Sequence, residues 1–98
     1  MTVFTSPFAA IALRDVTITQ RVFEGLGERD RDAMIEGLTG RRVTAGELTD
    51  GTRAVAGGLR QRGIGPGKVV AILLPNLPEY FLCFHGAAWA GAAVTTVN

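Results

Sequence analysis

Two segments of the chain repeat apolar residues at helical spacing. In the first, Ile18, Val22 and Leu26 fall four residues apart and therefore share one helical face. Thr17 precedes them and Gln20 follows three positions later, which is the pattern of a capping box at the start of a helix. The spacing predicts a short helix that begins after residue 17 and is ended by the glycines at 25 and 27.

The second periodic segment is longer and predicts the main helix. Its face has spacings of four, three and four residues and consists of Leu48, Thr52, Val55 and Leu59. Thr44-x-x-Glu47 is a capping box at its start, and Gly63 is suited to the left-handed turn at its end. Two glycines at 57 and 58 cost about 1 kcal/mol each in mid-helix, which indicates that another element packs closely there.

Short apolar runs between the two helices predict a small β-hairpin. Residues 33–35 (Ala-Met-Ile) and 41–43 (Arg-Arg-Val) form the strands, and Gly-Leu-Thr-Gly at 37–40 provides the turn. Ahead of the first helix, residues 1–16 contain a Ser-Pro turn signal at positions 6 and 7 and predict an extended arm.

The last third of the chain has the pattern of strand, helix and strand. Residues 69–74 (Val-Val-Ala-Ile-Leu-Leu) and 92–97 predict the strands. Asn76 is expected to cap the helix between them, which tolerates Pro78 in its first turn and ends at Gly91. Such a βαβ unit is parallel and right-handed in nearly all proteins, so we expect an α/β fold with a mostly parallel sheet.

Charge is distributed unevenly along the chain. The 10 Lys and Arg residues nearly balance 9 Asp and Glu residues, and a net charge of +1 provides no basic footprint for nucleic acid or anionic lipid. A hydrophobic share of 47% is too high for intrinsic disorder. Glu79 is the only charged residue after Lys68, and its position suits the start of the predicted helix, where the helix dipole favours an acid.

The charge-poor end does not match a transmembrane segment. A spanning helix needs about 20 mostly apolar residues, whereas prolines at 75 and 78 and glycines at 86 and 91 interrupt this stretch. Strands covered on both faces give the same apolar pattern. The start of the chain has no basic region and is interrupted by Pro7, so it is a poor signal peptide. With one cysteine, Cys83, and hence no internal disulfide, we expect a cytoplasmic protein.

The glycine-rich segment 63–68 (Gly-Ile-Gly-Pro-Gly-Lys) does not match a phosphate-binding loop. A Walker A loop needs Gly-x-x-x-x-Gly-Lys followed by Ser or Thr, but Arg62 occupies the first position and Val69 follows the lysine. Phosphate loops lead from a strand to a helix, whereas this segment leads from a helix to a strand. We interpret it as a turn, with Lys68 facing the negative end of the preceding helix.

Residue types that carry catalysis or bind metals are scarce. Cys83 and His85 lie two residues apart on the predicted helix, so their side chains do not meet and cannot form a nucleophile–base pair. His85 is the only histidine and Ser6 the only serine, which leaves no histidine cluster for a metal. Cys83 is expected in the core and His85 as a packed or edge residue. The sequence predicts no catalytic, cofactor-binding or metal-ligating residue.

One long motif, residues 63–80, reads Gly-Ile-Gly-Pro-Gly-Lys-Val-Val-Ala-Ile-Leu-Leu-Pro-Asn-Leu-Pro-Glu-Tyr. Before it stand Val-Thr-x-x-Glu-Leu at 43–48 and Ala-x-Ala-Gly-Gly-Leu at 54–59, and after it a passage of small residues that ends in Asn98. In this order the motifs resemble the N-terminal region of adenylate-forming acyl-CoA synthetases, the AMP-binding family, especially its 4-coumarate–CoA ligase-like and fatty-acyl–CoA ligase branch. The resemblance covers residues 6–98, although Ala45 stands where the family usually has an aromatic residue.

The resemblance implies a two-step ligase. ATP with Mg²⁺ and a carboxylic acid would give an acyl-adenylate and pyrophosphate, and coenzyme A would then take the acyl group. The family's phosphate loop, acyl pocket and catalytic lysine lie beyond the matched segment. Residues 17–98 are therefore expected to be an incomplete N-terminal portion of the AMP-binding α/β domain, after an arm at 1–16. Alone, the chain should be inactive, bind none of ATP, Mg²⁺ and coenzyme A, and lack its partner, the C-terminal portion of the same domain.

Two other interpretations stay open. The chain could be a truncated, non-catalytic product or a module that binds a partner through an apolar face. A free-standing nucleotide-binding βαβ unit is disfavoured, because the only glycine-rich turn lies on the wrong side of its strand. As a domain fragment the chain would present bare sheet faces and edges, so we expect it to be poorly soluble or partly unfolded on its own.

Overall fold

A computed structural model describes residues 1–97, and these residues form three helices and two two-stranded sheets. In chain order the elements are α1 (Ile18–Gly25), β1 (Asp32–Ile35), β2 (Arg42–Thr44), α2 (Ala45–Gln61), β3 (Val69–Ile72), α3 (Pro78–Ala90) and β4 (Ala93–Thr96). The α/β class predicted from the sequence is confirmed. Asn98, the last residue of the family-like motifs, lies outside the described residues.

Helix α1 begins as predicted, but of its predicted apolar face only Val22 and Leu26 are half-buried. The Thr17 hydroxyl accepts a hydrogen bond from the backbone amide of Gln20 at 3.1 Å, while the Gln20 side chain turns to Glu24 instead of closing the capping box. Ile18, predicted on the apolar face, is 74% exposed. The face that meets α3 is carried by buried Thr19 and by Phe23, because the large ring of Phe23 finds aromatic partners there.

The predicted hairpin is confirmed. Strands β1 and β2 pair antiparallel, with a register irregularity between Asp32 and Met34. The turn is closed by two backbone hydrogen bonds, from the Glu36 amide to the Arg41 carbonyl at 2.9 Å and from the Gly40 amide to the Glu36 carbonyl at 2.8 Å. Gly40 has φ +72°, a left-handed conformation that favours glycine.

Helix α2 has both predicted ends. The Thr44 hydroxyl accepts from the Glu47 amide at 3.1 Å and the Glu47 carboxylate accepts from the Thr44 amide at 2.8 Å, so the capping box is complete. At the other end Gly63 has φ +76°, and the Ile64 amide donates to the Leu59 carbonyl at 3.0 Å. Both predictions are confirmed because each depends on residues only a few positions apart.

The core lies where α2 crosses α3. Its most buried members are Ala45, Leu48 and Thr52 on α2 and Ala87 and Ala90 on α3. Gly86 of α3 brings the backbones close together, since a Cβ atom at that position would lie 2.5 Å from Cγ1 of Val55. Small residues thus let the two helices approach closely.

The expectation of a close contact at the glycine pair 57–58 is wrong. A Cβ atom at Gly57 would have no neighbour within 4 Å, and one at Gly58 would meet only the Arg62 guanidinium at 3.5 Å. Both glycines face away from α3, and the small residues that permit the close approach are on α3 instead.

The last third is a βαβ unit as predicted. Strands β3 and β4 are parallel, with register from Val69↔Ala93 to Ile72↔Thr96, and Gly91 ends α3 with φ +90°. Asn76 does not cap α3, which is a correction: the helix begins at Pro78 with Leu77 as N-cap and no side-chain cap bond. The Leu77 amide bonds the Pro75 carbonyl at 2.9 Å, and this turn moves the helix start beyond Asn76.

The two-stranded parallel sheet leaves apolar side chains uncovered. Val69 is 65% exposed and Leu73 is 71% exposed. Residues 1–16 form neither helix nor strand, and Phe4 and Phe8 of this arm are exposed as well. Poor solubility of the isolated chain, the right-handed crossover and a larger mostly parallel sheet stay predictions. Among residues 1–97, no helix combines the length and apolar character needed to cross a membrane.

A matched pair of glycine substitutions tests the helix crossing. Gly86→Ala should lower the free energy of unfolding. The added methyl group would overpack against Val55 at a cost of about 1–3 kcal/mol, which exceeds the gain from the higher helix propensity of alanine. Gly57→Ala, in open space on α2, should instead raise it by up to about 1 kcal/mol. Urea unfolding measures both changes, and equal effects of the two substitutions would contradict the close contact at Gly86.

Thr52 provides a second test of the same interface. The residue is fully buried, and its hydroxyl has no hydrogen-bond partner within the described part of the chain. Thr52→Val should therefore stabilise the protein by about 1 kcal/mol, since it removes an unsatisfied buried polar group without changing shape. Thr49→Val is the control, because the Thr49 hydroxyl donates to the Ala45 carbonyl at 2.7 Å and its loss should destabilise.

Candidate functional site

An apolar cleft lies between the hairpin and the first half of α3. Its volume is about 670 Å³ and it is open on one side. The hairpin contributes Met34, Ile35, Glu36 and Gly37, and the other wall and floor consist of Asn76, Leu77, Pro78, Tyr80, Phe81, Phe84 and His85. Apolar clefts with a few polar groups are the usual form of a binding site, so we take this cleft as the candidate site.

The hairpin stands beside α3 because its base is attached to the start of α2. The Ala45 amide donates to the Arg31 carbonyl at 2.9 Å, and the Gly46 amide donates to the Arg29 carbonyl at 2.8 Å. Gly46 is buried, and a Cβ atom there would lie 3.0 Å from that Arg29 carbonyl oxygen. The absence of a side chain at Gly46 thus lets the chain pass closely enough to direct the hairpin toward α3.

A two-pronged ion pair connects the hairpin to α3 next to the cleft residues Glu36 and Pro78. Arg41 donates through Nη1 to Oε1 of Glu79 at 2.7 Å and through Nη2 to Oε2 at 2.8 Å. Its Nε also reaches Oε2 of Glu36 at 3.3 Å. These contacts explain why an acid stands at position 79. The sequence suggested only that an acid suits the first turn of α3.

The ion pair fixes the charge of Glu79. The Arg41 guanidinium, together with the backbone amide of Glu79 itself, lowers the pKa of the Glu79 carboxyl to about 2. In return Glu79 raises the pKa of Arg41 further above its ordinary value. A carboxylate with such a low pKa stays ionised near neutral pH, so Glu79 holds position and is unsuited to proton transfer.

His85 lies at the floor of the cleft among aromatic rings. It is 7% exposed, and its Nδ1 lies 2.9 Å from the Thr19 hydroxyl of α1. The rings of Phe81, Phe84 and Phe23 have their centroids 4.4, 5.1 and 5.9 Å from that of His85. Burial lowers the pKa of His85, which keeps the imidazole neutral at pH 7. The prediction of a packed histidine is confirmed, whereas Cys83, expected in the core, is only half-buried on the same helix.

The loop between β3 and α3 does not fit a nucleotide phosphate, although this is where a βαβ unit would bind one. Pro75 and Pro78 have no amide hydrogen, and the Leu77 amide is already bonded to the Pro75 carbonyl. The Tyr80 amide bonds the Leu77 carbonyl at 3.0 Å. An incoming anion would therefore find few free amide donors at this helix end.

The glycine-rich segment 63–68 is a turn from α2 into β3, as predicted. Gly67 has φ +79°, and the Lys68 amide bonds the Gly65 carbonyl at 3.0 Å. The side chain that donates to a carbonyl in the last turns of α2 is that of Arg62, which reaches the Gly58 carbonyl at 3.1 Å. A dipole contact of Lys68 stays a prediction.

The cleft can bind an apolar group, but its chemistry is limited. Within residues 1–97, no group of three or more His, Cys, Asp or Glu side chains could hold a metal ion. Sequence reasoning missed the cleft and Arg41, because both arise from residues far apart in the chain. The one available signal was that a single acid in a charge-poor segment, Glu79, needs a cationic partner.

Comparison with known proteins gives one consistent result. The family model described as "AMP-binding enzyme" matches residues 25–98. The chain is 40% identical over 98 residues to 4-coumarate–CoA ligase 3 of Oryza sativa subsp. japonica, covering 98% of this chain and 18% of that protein. It is 36% identical over 88 residues to 4-coumarate–CoA ligase 4 of Arabidopsis thaliana, covering 90% of this chain and 15% of that protein. The chain thus spans less than a fifth of the length of these relatives.

The neutral, buried state of His85 predicts a pH-dependent stability. Because the folded-state pKa of His85 is below the ordinary 6.5, its contribution to stability is fully present above pH 6.5 and is lost as the pH falls through the folded-state pKa. Urea unfolding between pH 7.5 and 5 should show this loss. The double variant Thr19→Val/His85→Phe, which keeps the packing and removes the titrating group, should show a smaller slope. Equal slopes would contradict the prediction.

Proposed function

The chain belongs to the family of AMP-binding enzymes, and we propose that it is the N-terminal portion of an acyl-CoA ligase. The whole protein would activate a carboxylic acid with ATP, release pyrophosphate and transfer the acyl group to coenzyme A. The observation that carries this proposal is the alignment of nearly the whole chain with 4-coumarate–CoA ligases at 38–40% identity. The family-like order of the motifs from 43 to 80 supports it.

In this proposal the described residues form a scaffold and do not carry the chemistry. The β3–α3 loop does not suit a phosphate, and Glu79 is held as an ion pair. ATP, Mg²⁺ and coenzyme A would therefore be held by the remainder of the domain. That remainder would also cover the exposed apolar side chains of Val69, Leu73 and Val97 along the β3–β4 sheet. The carboxylic acid would bind in the remainder as well.

The protein would act in the cytoplasm. A single cysteine, half-buried on α3, suits a reducing compartment, where structural disulfides are rare.

One observation favours a second candidate function, a non-catalytic module that binds a partner. Phe4, Phe8, Ile11 and Leu13 of the arm are all more than 80% exposed, and contiguous exposed apolar side chains are typical of interaction surfaces. The ligase proposal explains the same exposure by contact with the rest of the protein. The two candidates therefore differ in the activity of the polypeptide that is expressed from the gene.

Pyrophosphate exchange distinguishes the candidates. The polypeptide from the complete gene, supplied with ATP, Mg²⁺ and a panel of carboxylic acids that includes 4-coumarate and fatty acids, should show acid-dependent exchange and form acyl-CoA. The 98-residue chain alone should show neither reaction, because no group that could perform them is expected within it. Lys68→Gln in the complete polypeptide is the control and should keep activity within about twofold of the unmodified protein, since Lys68 lies in a turn.

Each outcome decides one point. Exchange by the 98-residue chain would show that the scaffold assignment is wrong. A folded complete polypeptide with no exchange for any acid would contradict the ligase proposal and favour the partner-binding module. Loss of activity in Lys68→Gln would place chemistry in a segment that we assign to a turn.

A further inference from the structure

The hairpin is held at its base and at its tip by contacts of different kinds. At the base, the backbone amides of Ala45 and Gly46 donate to the carbonyls of Arg31 and Arg29 and attach the hairpin to α2. At the tip, the link to α3 is the side chain of Arg41. The base is therefore fixed by the backbone, whereas the tip depends on an ion pair between side chains.

The turn orients the guanidinium of Arg41 before it reaches α3. Oε2 of Glu36 accepts from the Thr39 hydroxyl at 2.7 Å and from Nε of Arg41 at 3.3 Å. The Glu36 side chain is only 15% exposed, so this carboxylate is held by its surroundings. The two remaining guanidinium nitrogens then point to the two oxygens of Glu79, a geometry that favours one orientation of both partners.

We propose that Arg41 is a positioning residue, and that its two-pronged ion pair with Glu79 holds the hairpin tip at a fixed distance from α3 and thereby sets the width of the apolar cleft. The cleft separates the two elements along Met34, Ile35 and Gly37 on one side and Leu77 and Tyr80 on the other. With the base anchored, loss of the ion pair loosens the turn, so that its backbone hydrogen bonds open more often and the tip moves away from α3. The proposal goes beyond the ligase function and holds whether or not that function is correct.

Ionic strength controls this positioning device. Arg41 and Glu79 are each about half exposed, with side-chain exposures of 45% and 46%, so dissolved salt screens their attraction. The carboxyl of Glu79 has a pKa of about 2 and stays ionised throughout the ordinary pH range. Glu36, the other acid at Arg41, belongs to the turn itself and moves with it.

Hydrogen exchange of the backbone amides in the turn tests the proposal. The protein is expressed from its natural gene, and exchange of the Glu36 and Gly40 amides is followed by mass spectrometry with peptide fragmentation. Glu79→Gln changes only α3, yet it should speed exchange at the turn about two- to fivefold, the factor expected for loss of an exposed ion pair. Amides within α3 report that the variant is folded.

Asp50→Asn is the matched control. It also neutralises one exposed carboxylate, but it breaks the ion pair of Arg29 with Asp50 on α2, away from the turn. Exchange at Glu36 and Gly40 should then stay within the error of the unmodified protein. An unchanged turn in Glu79→Gln, or an equal effect of Asp50→Asn, would overturn the proposal.

Salt provides a test without any substitution. In the unmodified protein, 1 M NaCl should speed exchange at the turn to the level of Glu79→Gln, and it should have no further effect on that variant. Salt that accelerates both proteins equally would show that the ion pair does not hold the turn.

Discussion

The close crossing of α2 and α3 is the contact on which the rest of the structure depends. Gly86 allows it, because a side chain there would collide with Val55. The hairpin is attached to the start of α2, and the parallel strands flank α3 in sequence. The relative position of the two halves therefore depends on one helix pair, and α2 holds the base of the hairpin beside α3.

Most elements could be predicted because their signals are local. The capping box of Thr44 and Glu47, the left-handed glycines Gly63 and Gly91 and the turn of the hairpin each involve residues within six positions of one another. Such groups find the same partners whatever the rest of the chain does. Predicting the parallel βαβ unit needed one further inference, that two strands joined by a crossover helix pair in parallel.

The features that could not be predicted all involve a choice among distant partners. Periodicity placed Ile18 on the buried face of α1, but Ile18 is exposed, and Thr19 and Phe23 contact α3 instead. Glycine content indicated a close helix contact, yet it could not say whether residues 57–58 or Gly86 would make it. Several arginines could have paired with Glu79, and only the fold selects Arg41, 38 residues away.

Glu79 shows how a charged residue is accommodated in an otherwise apolar segment. A single carboxylate in an apolar segment must lie at the surface or find a cation, because an unpaired buried charge costs several kcal/mol. Arg41 is that cation and binds Glu79 through its two terminal guanidinium nitrogens. The same contact lowers the pKa of Glu79 to about 2. A carboxylate that is held in place and ionised has no proton to donate to a reaction near neutral pH. The interaction that connects the hairpin to α3 therefore also keeps the one acid of this segment ionised and unsuited to proton transfer near neutral pH.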